Sequence, residues 1–537
     1  MRLTTTAALI VLLQLGTPGC SDDDTPANDT SSGEQAPGDA GPDGDAGDPT
    51  LVVTTNGPVK GKVESGYRAF LSIPFAAPPI GDLRWKAPEP PQPWTAPHDA
   101  TEYGASCVQA KNSIIVLDKL SEDCLTLAVW TPDPAPRKAP VMVWIHGGGF
   151  ALGGAAVPGW AGYRLAEKHG MVVVAMNYRL GAMGQFAHAA LGSGSGNFGL
   201  LDQQAALRWV KDNIAAFGGD PDNVTLFGES AGGISVCLHL ASPKSKGLFQ
   251  RGIMQSGACL KLPTRADAEA FGQQLATTVG CDTATSVSAC LRGKTAEELV
   301  LAAPLPLLLH YDGRPLLLPF VDGDSLVEQP VDTLAAGSFN KVSVLLGSNA
   351  NEGTLFLNGD EHKAMDDAKY QERIGYAFEA ADAAKVIARY PSASYSTPRD
   401  ALAEVVTDSI FACPTRRTAR AVAAAGETVY LYQWVYAPSH YSLYPYLRAS
   451  HGAELPFVFG IPATPLPFIA KEKPLVDTMT GYWARFASTG DPNGDGAVPW
   501  PRYDATSDKH LELDAEQQTE KNALKRDTCD FWRDLPL

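Results

Sequence analysis

The sequence predicts an α/β protein with a central, mostly parallel sheet and helices on both faces. Its β-rich runs are mostly apolar throughout rather than alternating, as is typical of strands buried on both faces of such a sheet. These runs are Leu125–Trp130, Val141–Ile145, Val172–Asn177, Val224–Gly228, Val342–Gly347 and Val429–Val435. Helical periodicity appears between them, in Leu201–Phe217, Ala231–Ala241 and Ala401–Ala425. Strands alternating with helices predict a sheet covered on both sides.

We expect one large domain from Leu51 to Leu537, because no internal repeat or linker interrupts the chain after Thr50. The 537 residues are 45% hydrophobic, which is ample for a large core. The formal net charge is -17 and there is no basic run, which disfavours nucleic acid and anionic membrane surfaces as partners. No zinc-spaced cluster and no supported dinucleotide motif appears, so we expect neither a metal nor a cofactor.

Met1–Cys20 has the pattern of an export signal. Arg2 is a minimal positive start, and Ala7–Leu15 is an apolar core too short to span a bilayer as a stable helix. Cys20 follows this core and resembles the lipidated cysteine of bacterial lipoproteins, although Thr17 stands where their motif usually has an aliphatic residue. We expect lipidation of Cys20, with ordinary cleavage and secretion as the alternative.

Ser21–Thr50 is predicted to be a disordered acidic tether. It holds eight Asp, one Glu and no Lys or Arg, and it lacks aromatic residues and Val, Ile, Leu and Phe. Membrane contact is therefore expected only through a lipid on Cys20.

Export also makes disulfides plausible among the other eight cysteines, but their spacing alone does not assign the pairs.

Ser230 is a candidate nucleophile. It lies in "FGESAGG", between a strand pattern and a helix pattern, and glycines on both sides permit a sharp turn. A second glycine run, "HGGGF", ends at Phe150 directly after another strand pattern. Its backbone N–H groups could stabilise the oxyanion of an acyl-transfer intermediate. Found together, the two glycine-rich motifs favour a hydrolase active site over the alternative that both are merely flexible turns.

A serine nucleophile needs a base to take its proton. In α/β proteins with a serine on such a strand-to-helix turn, the acid follows the serine along the chain and the histidine follows the acid. His451 in "SHGAELPF" is the leading base, with His440 as a competitor. Glu352 follows the strand "VSVLLG" through a short loop, where an acid is expected. Residue chemistry alone leaves other acids open, namely Asp322, Asp324 and Asp360.

Several ordered motifs resemble the type-B carboxylesterase and cholinesterase family of α/β-hydrolases. They are "FLSIPFAAPPIGDLRWKAP", "SEDCLTLAVW", "GNFGLLDQQAALRWVKDNIAAFGGDP", "FGESAGG", "GSNANEGTLFL" and "HGAELPFVFG". The resemblance runs from about Val53 to the C-terminus. It implies the α/β-hydrolase fold and a triad of Ser230, Glu352 and His451. The backbone N–H groups that it implies for the oxyanion hole are those of Gly148, Gly149 and Ala231.

The resemblance also implies three disulfides: Cys107–Cys124, Cys281–Cys290 and Cys413–Cys529. Cys237 and Cys259 are then left over. We expect them to be free or buried thiols, with a fourth pair as the alternative.

The activity that the resemblance implies is hydrolysis of small carboxylic esters through an acyl-enzyme. Neutral esters are expected, because the Cys107–Cys124 loop has no Trp and Leu355 stands where cholinesterases have an aromatic residue, although Phe356 follows it. A cholinesterase-like or lipase-like specificity is the alternative within the class. A non-catalytic adhesion protein of the same fold is the alternative outside it.

Overall fold

The computed structural model describes residues 48–111, 115–192, 194, 196–303, 311, 317–494 and 496–535. The predicted signal 1–20 with Cys20, and positions 21–47 of the predicted tether, lie outside the described residues. No helix within the described ranges is both long and apolar enough to cross a membrane.

The strands are β1 Leu51–Thr54, β2 Gly57–Lys60, β3 Lys62–Glu64, β4 Tyr67–Pro74, β5 His98–Asp99, β6 Ser106–Cys107, β7 Leu120–Ser121, β8 Thr126–Pro132, β9 Ala139–Ile145, β10 Val172–Met176, β11 Gly219–Glu229, β12 Arg251–Gln255, β13 Ser343–Asn349, β14 Val429–Trp434, β15 Lys509–Leu513 and β16 Thr519–Asn522.

The helices are α1 Tyr163–His169, α2 Gly181–Gly184, α3 Phe198–Asn213, α4 Ala231–Ala241, α5 Arg265–Thr278, α6 Val287–Gly293, α7 Ala296–Ala302, α8 Pro330–Ala335, α9 Gly353–Phe356, α10 Asp360–Lys363, α11 Asp367–Ala377, α12 Ala380–Arg389, α13 Pro398–Val406, α14 Cys413–Ala424, α15 Leu455–Phe459, α16 Lys473–Thr489 and α17 Arg526–Arg533.

Eleven of the described strands form one sheet, in the order β16-β15-β14-β13-β12-β11-β9-β10-β8-β4-β3. All pairs from β10 to β15 are parallel, whereas β15–β16, β10–β8, β8–β4 and β4–β3 are antiparallel. The prediction of a mostly parallel α/β sheet is confirmed. Because β9, β11, β13 and β14 run the same way, the loops that follow them lie at one edge, where α/β proteins build their sites.

Both faces of the central strands are buried, which explains why these runs are apolar throughout. In β9, Val141, Val143 and Ile145 belong to a core with α3, α4 and α14. Met142 and Trp144 point to the opposite face and pack in a second core with α1, α15 and α16. Successive side chains of a strand point to opposite faces, so two cores demand an apolar residue at every position.

The region Ala401–Ala425 is helical as predicted, but it is not one regular α-helix. A π-helical segment, Thr407–Ala412, separates α13 from α14. Pro414 has no N–H to donate to a preceding turn. The hydroxyls of Thr407 and Ser409 donate to the Ala403 and Val405 carbonyls at 2.7 Å each. Both effects favour the wider turn at this place.

Four disulfides are present in the part of the chain that the structure describes. Cys107–Cys124, Cys281–Cys290 and Cys413–Cys529 are the three implied by the resemblance. The expectation that Cys237 and Cys259 are free thiols is wrong, because they form a fourth disulfide. The packing of α4 beside the segment after β12 brings their Cα atoms to 5.4 Å.

Candidate active site

Ser230 lies on a sharp turn between β11 and α4. Its backbone has φ 56° and ψ -123°, a region that non-glycine residues rarely occupy. The Ser230 amide donates to the Gln255 carbonyl of β12 at 2.9 Å, and the amide of Ile234 donates to the Ser230 carbonyl at 2.9 Å. The turn is thus fixed on both sides, and strain held by its surroundings is a common property of functional sites.

The glycines around Ser230 are required by close packing of the backbone. A Cβ atom on Gly232 would lie 1.9 Å from the carbonyl oxygen of Ile145, at the end of β9. A Cβ atom on Gly228 would lie 2.4 Å from the carbonyl carbon of Gly232. Only glycine allows α4 to begin this close to β9 and β11.

His451 and Glu352 are joined by a short hydrogen bond, with His451 Nδ1 and Glu352 Oε2 2.6 Å apart. Glu352 follows β13 and is fully buried, and its Oε1 accepts the amide of Asn349 at 2.6 Å. A carboxylate accepts only, so Nδ1 carries the proton and the neutral ring leaves its Nε2 lone pair free. This is the tautomer that a general base requires.

Two more carboxylates, Glu229 and Glu454, are buried beside this pair. Glu229 immediately precedes Ser230, and its Oε1 lies 3.1 Å from His451 Nε2. The Glu454 carboxylate accepts from Asn349 Nδ2 at 2.6 Å and from Gln255 Nε2 at 3.0 Å. Hydrogen bonds therefore satisfy Glu454, while the nearest ionisable partner of Glu229 is the His451 imidazole.

The pKa values reflect this concentration of buried acids. Burial raises the pKa of Glu229 to about 8, although nearby His451 acts to lower it. Burial also raises the pKa of Glu454. For His451, burial favours the neutral ring, but the Glu229 and Glu352 carboxylates outweigh it and raise the pKa to about 9. The site stabilises positive charge on His451, the charge that a base acquires during catalysis.

The glycine run after β9 lies directly against the Ser230 turn, since a Cβ atom on Gly147 would be 3.1 Å from Ser230 Cβ. Gly148 has φ 110° and Gly149 has φ 61°, so both adopt backbone conformations suited to glycine. Both are partly exposed. The N–H of Ala231, at the start of α4, lies on the adjoining turn. The glycine run and the first residue of α4 therefore both adjoin the serine.

The loop of this glycine run is anchored by buried side chains. The Tyr178 hydroxyl donates to the His146 carbonyl at 2.8 Å, and the two rings stack with centroids 4.4 Å apart. The Gly153 amide donates to Gln109 Oε1 at 2.8 Å. Burial lowers the pKa of His146 to about 4, so this ring is neutral at physiological pH.

Two aromatic rings flank His451. The centroids of Phe356 and Phe411 lie 5.1 Å and 4.7 Å from that of the imidazole. They also stack on each other, with centroids 5.8 Å apart and an angle of 8° between the planes. Phe356 ends α9 and Phe411 lies in the π-helical segment, so two elements distant in sequence form an apolar wall beside His451.

The competing residues lie in other surroundings. His440 is on a short turn, Ser439–Tyr441, against the Tyr441 ring. The Asp322 carboxylate accepts from Asn197 Nδ2 at 2.8 Å, and Asp324 pairs with Lys244 at 2.5 Å. The side chain of Asp360 lies outside the described residues. In the described part of the chain, no group of three or more His, Cys, Asp or Glu side chains could hold a metal ion.

Sequence reasoning missed Glu229, Glu454 and Phe411. Glu229 had a signal, because a carboxylate directly before a nucleophile in "GESAG" must lie near the reaction centre. Glu454, three residues after His451, had a weaker signal of the same kind. Phe411 had none, since only the tertiary structure brings the π-helical segment to the imidazole.

The parallel sheet, the serine turn after β11, the glycine run after β9 and the His451–Glu352 pair define an α/β-hydrolase. The model of the carboxylesterase family matches residues 48–532. Over 483 residues the chain is 39% identical to para-nitrobenzyl esterase of Bacillus subtilis (strain 168), covering 87% of this chain and 95% of that one. Over 519 residues it is 34% identical to acetylcholinesterase of Bungarus fasciatus, covering 90% of this chain and 85% of that one. The chain belongs to the carboxylesterase family, and it is a serine carboxylester hydrolase.

Proposed function

We propose that Ser230 is the nucleophile of this ester hydrolase, His451 its general base and Glu352 the residue that orients the base. The observation that carries the proposal is the 2.6 Å hydrogen bond from His451 Nδ1 to Glu352, on loops that meet at the Ser230 turn. It fixes the tautomer with a free Nε2 lone pair, and a serine hydroxyl is a weak nucleophile without such a base.

In the first half of the reaction, Ser230 Oγ attacks the ester carbonyl carbon while its proton moves to His451 Nε2. The carbonyl π electrons move to oxygen, where the N–H groups of Gly148, Gly149 and Ala231 donate to the oxyanion. When the intermediate collapses, the alcohol leaves and takes the proton from Nε2. Water then repeats these steps on the acyl-enzyme and releases the carboxylic acid.

Glu352 stabilises the imidazolium that forms in each half of the reaction. Above its pKa of about 8, the Glu229 carboxylate, 3.1 Å from Nε2, stabilises the same positive charge. Both carboxylates are buried, so their fields act with little screening by solvent.

Neutral esters are the proposed substrates, with the apolar wall of Phe356 and Phe411 contacting the apolar part of the ester. Leu355 offers a cation no π face, unlike an aromatic residue. The test compares kcat/KM for acetylthiocholine with that for its neutral 3,3-dimethylbutyl thioacetate isostere. The neutral thioester should be the better substrate, and a preference for the choline thioester would overturn this part of the proposal.

Export with a lipid on Cys20 is proposed for the N-terminus. Four disulfides in the described residues fit an oxidising compartment, and Ala7–Leu15 followed by Cys20 fits a lipoprotein signal. Mass spectrometry of the N-terminal peptide from membranes should find an acylated Cys20. A secreted protein cleaved elsewhere, with no lipid on its N-terminus, would contradict lipidation.

The assignment of the nucleophile is tested with p-nitrophenyl acetate and Ser230→Ala. We expect kcat to fall by at least about 10³-fold because no covalent intermediate can form. The thermal unfolding temperature should change little, since the Ala side chain fits wherever Ser does. A fluorophosphonate probe should label the parent at Ser230 and leave the variant unlabelled. Retained turnover, or equal labelling of the variant, would refute the assignment.

A further inference from the structure

A cavity of about 430 Å³ lies at the C-terminal disulfide, and none of the residues assigned to ester hydrolysis lines it. Its walls come chiefly from α14 and α17, which the Cys413–Cys529 disulfide joins at the cavity itself. In the described part of the chain, its lining carries one carboxylate, that of Asp530, and five guanidinium groups, those of Arg416, Arg417, Arg420, Arg526 and Arg533.

This concentration of positive charge stands out because the protein as a whole has a net charge of -17. Arg416 and Arg420 are four residues apart on α14, so they lie on one face of that helix. Like charges brought together in this way repel each other unless negative charge is supplied nearby. The buried members of the cluster therefore need either internal partners or an anionic ligand, whereas solvent screens the exposed ones.

Internal carboxylates neutralise only part of the cluster. Asp508 serves two of the arginines at once: it pairs with Arg416, and it accepts from Arg526 Nη2 at 3.2 Å. Arg533 forms exposed pairs with Asp530 at 3.5 Å and with Asp534 at 3.4 Å, which contribute little.

Arg417 and Arg420 are the unneutralised members of the cluster. Among the described residues, neither has a carboxylate oxygen within 4 Å. Burial lowers the pKa of Arg417, although Asp332 acts in the opposite direction. Arg417 Nη2 donates to the Cys259 carbonyl at 3.3 Å, while its buried Nε has no hydrogen-bond partner within the described ranges.

Arg416 adds a second unpartnered donor to the lining of the cavity. Its side chain is only 5% exposed, and its Nε likewise has no hydrogen-bond partner in the residues described. A buried charged donor without a partner is costly, so such groups are normally satisfied. An anion in the cavity would supply acceptors to these guanidinium groups.

The cavity also has an apolar side, formed by Leu260, Pro414, Trp532 and Leu535. We propose that this cavity binds a phosphate group that carries an apolar substituent, such as a phosphate ester or a phospholipid headgroup. Guanidinium groups bind phosphate through paired N–H donors, and several of them match a group with more than one negative charge. The disulfide between α14 and α17 holds the two walls in place, which limits the ordering that binding requires.

Binding is tested by calorimetric titration of the full chain with inorganic phosphate and with hexyl phosphate. Both should bind, and hexyl phosphate should bind more tightly because its chain contacts the apolar side. Arg417→Gln/Arg420→Gln should weaken binding about tenfold or more, since each removes hydrogen bonds to a charged group. Arg164→Gln is the matched control, because Arg164 is a half-exposed arginine of α1 that pairs with Glu167 away from the cavity.

The variant Arg417→Lys/Arg420→Lys distinguishes the contribution of positive charge to binding from that of the planar guanidinium geometry. Lysine keeps the charge but lacks the planar fork, so binding should weaken less than with glutamine and still fall below the parent. Hydrolysis of p-nitrophenyl acetate should stay unchanged in all these variants, and the unfolding temperature should fall only slightly, because the Arg417 variants lose one hydrogen bond to the Cys259 carbonyl. If the double variant fails to fold, Arg420→Gln replaces it, because Arg420 is exposed and its loss leaves the core intact.

Vesicles distinguish the two sources of phosphate. If vesicles of phosphatidylglycerol in phosphatidylcholine bind the parent and release the double variant, the ligand is a lipid headgroup. If hexyl phosphate binds and the vesicles do not, the ligand is a soluble phosphate ester. Failure of the parent to bind any of these probes would overturn the proposal. Equal binding by the parent and the glutamine double variant would overturn it as well.

Discussion

Glu229→Gln tests how the buried acids act on the base. The change keeps the size of the side chain and removes a carboxyl group that lies 3.1 Å from His451 Nε2 and is charged above its pKa of about 8. At this distance two unit charges interact by about 1.3 kcal/mol in water and by about 5 kcal/mol at an effective dielectric constant of about 20. One pKa unit corresponds to about 1.4 kcal/mol. The Coulomb range therefore spans about 1 to 4 pKa units.

The other groups around His451 narrow the expected change in its pKa. Together the buried carboxylates raise the pKa of His451 from 6.5 to about 9 against the effect of burial, and Glu352 supplies part of that rise. We therefore expect Glu229→Gln to lower the pKa of His451 by about 1 to 2 units. The base works when neutral, so a lower pKa moves the acid limb of the kcat/KM profile to lower pH.

The assay is kcat/KM for p-nitrophenyl acetate from pH 5 to about 10.5, corrected for spontaneous hydrolysis, so that the range extends beyond the His451 pKa of about 9. Glu454→Gln is the matched control, since Glu454 is equally buried but acts more weakly on His451 than Glu229 does. Its acid limb should move less. An unmoved limb in Glu229→Gln would refute the reasoning, because it would mean that Glu229 holds its own proton over the range in which His451 titrates.

Two further predictions concern the orienting acid and the fourth disulfide. Glu352→Gln should lower kcat by roughly 10³- to 10⁴-fold, because an amide N–H facing His451 Nδ1 selects the wrong tautomer; unfolding monitored by circular dichroism should show the fold unchanged, and a loss below tenfold would contradict the assigned role. Cys237→Ala/Cys259→Ala opens a crosslink with a sequence separation of 22 and should lower the free energy of unfolding by about 3 kcal/mol. Urea denaturation measures this change, and an unaltered midpoint would show that the crosslink adds nothing to stability.

The sequence by itself determined the sheet and most of its strands. Where both faces of a strand are buried, every position must be apolar, and this leaves a local pattern that "VMVWI" and "VVVAM" display. The Ser230 turn was equally visible, because the close approach of Gly232 to Ile145 excludes any side chain and leaves glycine as a sequence mark. The choice of Glu352 and His451 over nearby acids and histidines needed the resemblance of whole segments to a known family.

Only the tertiary structure decided the contacts between distant segments. The Cys237–Cys259 disulfide depends on α4 packing beside the segment after β12, and cysteine spacing carries no information about that packing. Phe411 reaches His451 because Thr407–Ala412 widens into a π-helical turn, whereas the apolar periodicity predicted a regular helix. The cavity at the C-terminal disulfide is lined by arginines of α14 and α17, and no pattern in the sequence indicates that these arginines lie together. Local patterns record which face a residue buries, but the meeting of two distant elements depends on how all the elements pack at once.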